Sequence, residues 1–203
     1  MEENFNHEQS LTLINEMILR AQNNVRKGKT HSIIFMGYVV VAAAVTNYVL
    51  IHTLSNPYQS FLIWLVIILA LPVAHFITRR DNREKLLKTH IDKINTMVWN
   101  GFGISAFVFL AVIFTVAFRI DIHRILILCT PVISTMIGMV QFVLACIYRR
   151  KMWYWIAALF WGGAVTCVFL NADMHLIIFA VCVLLGFVAP GHIVIYQTKK
   201  SHV

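Results

Sequence analysis

The chain has 203 residues, of which 59% are hydrophobic and 13% charged, a balance too apolar for a soluble domain and typical of a polytopic membrane protein. A formal charge of +8 at pH 7 would point a soluble protein toward nucleic acid, but beside so much apolar sequence it describes a basic rim against anionic lipid headgroups. Cys129, Cys146, Cys167 and Cys182 fall in apolar stretches without Cys-x-x-Cys spacing, which indicates neither a disulfide framework nor a zinc site.

Residues 1–30 read as a cytoplasmic amphipathic helix. Leu11, Ile14, Ile18, Ala21 and Val25 recur at intervals of three and four, with Asn15, Arg20, Asn23 and Lys27 on the other faces. Asn6 and Gln9 have the spacing of a capping box, and Gly28 suits a left-handed stop. Interfacial anchoring is the ordinary role of such a segment, and docking of a partner is the alternative. Because these residues hold no continuous apolar core, the first span is expected to serve as an uncleaved insertion signal.

Residues 31–203 read as an all-α, six-span bundle of three hairpins, with apolar stretches at about 31–54, 58–78, 100–118, 124–148, 153–170 and 175–196. A basic cytoplasmic linker, 79–99, joins the second and third; Asp81 and Glu84 have capping-box spacing there, and Leu87, Ile91, Ile94 and Val98 form a second apolar stripe. Threading the six stretches through a bilayer puts all seventeen Lys and Arg on one side except Arg119 and Arg124, so both termini are expected in the cytoplasm. Trp99, Tyr148, Trp153, Tyr154, Trp155 and Tyr196 fall at the cytoplasmic interface and Tyr58 at the opposite one, where aromatic rings anchor helices.

A faint repeat runs through the hairpins. Odd spans carry an aromatic residue beside a glycine, in Phe35-Met36-Gly37, Trp99-Asn100-Gly101 and Trp161-Gly162. Even spans carry a helix-loosening residue, then a polar one, then a basic pair: Pro72, His75 and Arg79-Arg80; Gly138, Gln141 and Arg149-Arg150; Pro190-Gly191, His192 and Lys199-Lys200. Glycines of this kind are commonly close-packing positions between membrane helices.

Met17-Ile18 through Ala21-Gln22-Asn23-Asn24, Lys88-Thr89-His90-Ile91-Asp92, the stretch from Trp99 to Gly103 and Ala189-Pro190-Gly191-His192-Ile193 together resemble a family of uncharacterised small six-span bacterial membrane proteins. The resemblance covers most of the chain and implies the six-span architecture and a bacterial inner membrane, with no activity attached. Two departures stand out. Members often open span one with Trp-Gly-Trp, where this chain has Met36-Gly37-Tyr38, and tend to have a glycine-rich turn after span four, where it has Tyr148-Arg149-Arg150-Lys151-Met152.

All nine Asp and Glu residues lie outside the spans, and so do all Lys and Arg. That argues against proton-driven pumps, intramembrane aspartyl proteases and voltage sensors, which place ionisable groups in the membrane interior. His-Glu-x-x-His, Walker A and Gly-x-Ser-x-Gly are missing, so no catalytic set, cofactor or metal is expected. Ser105 or Ser134 with His192 could formally make a Ser-His pair, but a lone Ser in a span ordinarily bonds its own helix. On the outer turns, Asp121-Ile122-His123 and Asp173-Met174-His175, with His52 nearby in topology, offer oxygen and nitrogen ligands; turn capping is their ordinary reading.

The candidate binding or gating residues are therefore His75, Gln141, His192 and Asn47. Counted from the basic pairs at about 1.5 Å per residue, His75 lies about 6 Å, His192 about 10 Å and Gln141 about 12 Å inside the cytoplasmic boundary. Equivalent hairpins would bring these three together, whereas snorkelling histidines and a gluing amide would leave them apart. Two functions remain open. One is a non-enzymatic, sensor-like or scaffold-like membrane protein acting through lipid or partner contacts; the other is a small oligomeric channel or facilitator for a neutral or weakly polar solute. Expected partners are anionic headgroups and either a second copy or another membrane protein, not nucleic acid.

Overall fold

A computed structural model describes residues 30–83 and 90–200, and the expected N-terminal amphipathic helix lies outside the described residues. All regular structure among the described residues is helical. Helix α1 is Thr30–Thr53, α2 is Leu65–Arg83, α3 is His90–Arg119, α4 is Cys129–Tyr148, α5 is Lys151–Val168, α6 is Met174–Val183 and α7 is Ala189–Lys200. Two 3₁₀ segments, Pro57–Trp64 and His123–Leu128, lead into α2 and α4.

Among the described residues, five stretches are long and apolar enough to cross a membrane: His31–Thr53, Gln59–Arg80, Lys93–Arg119, His123–Tyr148 and Met174–Tyr196. This is the pattern of a helical membrane protein. The fifth expected span is not among them. It forms α5, whose 18 residues reach about 27 Å but open on Lys151 and include Trp153, Tyr154, Trp155 and Trp161, which dilute its hydropathy. Within the expected linker 79–99, α2 runs on to Arg83 and α3 begins at His90.

The helices pack through small residues, as they must where lipid removes the hydrophobic drive for helices to meet. The most extensive contact lies between α4 and α5, across the Arg149-Arg150 turn. Arg149 takes a left-handed conformation (φ 50°, ψ 38°), the position glycine commonly fills at a helix end, so the chain reverses within two residues despite lacking the glycine. On the seam, Ser134, Ile137, Gly138, Gln141, Leu144 and Ala145 of α4 are buried, as are Ile156, Ala157, Phe160, Gly163, Ala164 and Cys167 of α5. The Ser134 hydroxyl donates to the Phe160 carbonyl (2.9 Å) and Trp161 Nε1–H to the Thr135 carbonyl (3.2 Å). Gly138 leaves room for the Trp161 indole.

The other face of α5 receives α6 and the turn after it. Gly163 is opposite Cys182 Sγ, and Gly186 is opposite the fully buried Phe160 ring. Phe160, Phe179, Cys182, Val183, Ile137 and Ile156 make the core there. Between α6 and α7, Leu184–Val188 widens into a π-helical turn in which the Ala189 N–H reaches the Leu184 carbonyl. Its place follows from Pro190, which has no N–H to give and whose ring crowds the carbonyl four residues back.

Helix α1 packs against α2, the 57–64 segment and the α6–α7 helix. With α6–α7 it runs antiparallel, matching Ile34 to Gly191, Gly37 to Val188 and, at the far end, His52 to Asp173. A second, smaller core of Ile113, Ala117 and Leu126 joins α3 to the 123–128 segment.

Candidate functional site

The four candidate residues occupy two kinds of environment. Asn47 and Gln141 are fully enclosed, on the buried faces of α1 and α4. Neither the donor nor the acceptor of either amide has a hydrogen-bond partner. Gln141 sits one turn beyond Gly138, with Leu144 and Ala145 following it on the same seam. An amide left without partners away from solvent costs about 1–3 kcal/mol, so each is an expensive group in this bundle.

His75 and His192 are exposed. His75 follows Ala74, which faces α1 and whose carbonyl accepts the hydroxyls of Ser32 (3.1 Å) and Thr78 (2.8 Å). His192 Nε2 lies 3.0 Å from Tyr38 Oη, with the two rings edge to face. The structure therefore brings His192 to Tyr38 on the first helix. Among the described residues no hydrogen bond joins any two of the four candidates, and Gln141 is enclosed while both histidines are not.

Tyr38 was missing from the sequence candidates. A faint signal for it existed, because Gly37-Tyr38 and Gly191-His192 are each a glycine followed by a hydrogen-bonding ring, in the same half of the first and last helices. The glycines explain the approach. Gly191 admits the Ile34 side chain and Gly37 admits Val188, which brings the two backbones close enough for their neighbours to bond.

The two Asp-x-His pairs lie on separate turns and are engaged separately. Asp121, at φ 60°, holds its carboxylate 3.1 Å from His123 Nδ1 within the same turn. Asp173 instead reaches His52 at the end of α1, with Oδ2 and Nε2 3.4 Å apart. His175 is buried and its Nε2 lies 3.3 Å from the Leu170 carbonyl. No three potential metal ligands come together among the described residues. Of the two serines that could formally pair with His192, Ser134 is committed to the Phe160 carbonyl and Ser105 is exposed on α3. No family model, no curated protein and no solved structure matches this chain.

Proposed function

We propose that the chain is a six-span protein of a bacterial inner membrane, with both termini cytoplasmic, that acts through contacts with lipid and a membrane partner rather than through chemistry. Support for the sixth crossing comes from α5 itself: it lies antiparallel along α4, from Tyr148–Trp153 stacking at one end to Gly163 beside Ser134 toward the other. The basic asymmetry of the loops supports the orientation.

The observation that carries the functional reading is how the helices close on one another. Gly37, Gly138, Gly163, Gly186 and Gly191 are each filled by a neighbouring side chain, which supports seams between α1, α4, α5 and the α6–α7 helix that leave no room for a solute at these points. Such a body presents its outside: an apolar belt toward lipid and the cytoplasmic basic residues toward anionic headgroups. A facilitator is the second reading, favoured by the two unpartnered amides, Asn47 and Gln141, which are the polar groups a solute path would use.

Proteoliposomes distinguish them. Entrapped glycerol and urea should leave protein-containing vesicles no faster than protein-free ones, and copurifying lipid should be enriched in anionic species until Arg79, Arg80, Arg149, Arg150 and Lys151 are neutralised. Solute release that accelerates with protein, and slows in Asn47→Leu or Gln141→Met, would replace this reading with the second. Reporters fused after Val203 or inserted at Asp92 should be cytoplasmic and one at Asn171 external; an external Asp92 would overturn the orientation.

A further inference from the structure

The contact between His52 and Asp173 determines which proton His52 lacks. His52 Nδ1 lies 2.9 Å from the Tyr48 carbonyl, one turn back on α1. A carbonyl can only accept, so Nδ1 carries a hydrogen in every state that keeps this bond. In the neutral ring the other nitrogen, Nε2, is then a bare lone pair. That lone pair faces Asp173 Oδ2 at 3.4 Å, and a carboxylate too can only accept. Two acceptors thus meet at a joint between the outer end of the first helix and the turn before the last.

From this juxtaposition we infer that His52 and Asp173 form a proton-binding clasp, open when the imidazole is neutral and closed when it is charged. Uptake of one proton at Nε2 converts two opposed acceptors into an N–H···O⁻ hydrogen bond with opposite charges, the arrangement that both partners can satisfy. Nδ1 keeps its bond to the Tyr48 carbonyl throughout, and the Tyr48 ring, 4.8 Å from the imidazole centroid, holds the ring plane. No covalent bond changes; only the proton moves, from solvent to Nε2. Solvent can deliver it, since the two side chains are 50% and 29% exposed.

Surrounding charges leave the pair to govern itself. The 57–64 segment and the first turn of α2 contain no Asp, Glu, His, Lys or Arg. On α6 the nearby titratable group is His175, which points its Nε2 at the Leu170 carbonyl. Asp121 and His123 are engaged with each other on the turn after α3. The first helix and the α6–α7 helix are locked over their inner halves by Gly37, Gly191 and the Tyr38–His192 bond, so motion at this joint is confined to their outer ends. The clasp deepens the contact-acting reading by giving it a stimulus, external acidity, but its geometry is independent of orientation in the membrane.

The test uses the full-length chain in detergent micelles, where orientation plays no part. Cys129, Cys146, Cys167 and Cys182 are replaced, and nitroxide labels are placed at Thr53→Cys and Ala172→Cys, both exposed positions flanking the pair. Spin–spin distances are read at pH 8 and pH 5. The expected result is a distribution that shortens and narrows at pH 5, with the response lost in His52→Gln and Asp173→Asn and kept in Asp173→Glu. Nitrogen-15 histidine spectra at pH 8 should show His52 protonated on Nδ1. A pH response that survives Asp173→Asn, a distribution identical at both pH values, an Nε2–H tautomer, or a closure that needs added zinc and is reversed by a chelator would each overturn the clasp. Flux results on the contact-acting reading are separate, since they do not involve this pair.

Discussion

Two adjacent glycines on α5 give the packing its sharpest test. Gly162 and Gly163 share one helix and one backbone conformation, but an added Cβ meets nothing within 4 Å at Gly162 and lies 2.6 Å from Cys182 Sγ at Gly163. In a helix interior Gly→Ala gains roughly 0.8–1.0 kcal/mol from propensity alone. Gly162→Ala should therefore stabilise by about that amount. At Gly163 the same gain is opposed by overpacking, which costs about 1–3 kcal/mol because an unstrained contact needs about 3.5–4.0 Å. Propensity cancels between the two neighbours, so the difference between the variants, about 1–3 kcal/mol, is the packing term alone. For a chain of this size that is roughly 2–12 °C in the unfolding midpoint. Thermal or SDS-induced unfolding in dodecylmaltoside micelles, followed by far-UV circular dichroism, reads it. Cys182→Ala added to Gly163→Ala should recover most of the loss, because the buried thiol is the obstructing group. If Gly163→Ala were as stable as Gly162→Ala, or if removing the thiol recovered nothing, the close approach of α5 and α6 would be refuted.

The buried amides and the reversed turn supply two more predictions. Gln141→Met and Asn47→Leu keep the side-chain volume and remove amides without partners, so each should raise stability by about 1–3 kcal/mol in the same SDS titration; a loss instead would mean that bound water satisfies them. Arg149→Gly should gain about 1 kcal/mol, since the residue is held in a left-handed conformation that costs a side chain about that much, and Arg150 and Lys151 would still leave the loop basic. An unchanged unfolding midpoint for this variant would contradict the assigned turn.

How much of the molecule was legible in the sequence depends on the range of the interaction involved. Membrane residence, helical class and the approximate ends of the apolar segments are local properties: an uncovered backbone in lipid must bond within its own helix, and hydropathy over about twenty residues decides whether it can stay there. The α5 stretch shows the limit of that reading, because Lys151 and three tryptophans lower its hydropathy although it makes the most extensive helix contact among the described residues, with α4. Enclosure of Asn47 and Gln141 also follows from local cost, since neither amide can be left against lipid. What faced them could not be read, and nor could the partners of His52, Tyr38 and Ser134. Those contacts depend on the rotation of each helix about its axis and on its sliding register against a distant one, and both are set by which glycine admits which side chain. Gly37 with Val188 and Gly191 with Ile34 fix the first helix against the last, and only then do Tyr38 and His192, or His52 and Asp173, come within reach. Pro190 announced a disturbed helix in the sequence, but the π turn lies upstream at Leu184–Val188, where Gly186 must also clear the Phe160 ring. Composition determined that this chain is helical and belongs in a membrane; close packing between segments far apart in sequence decided which of its few polar groups would meet, because a hydrogen bond tolerates only a few tenths of an ångström and a helical pattern specifies no such distance.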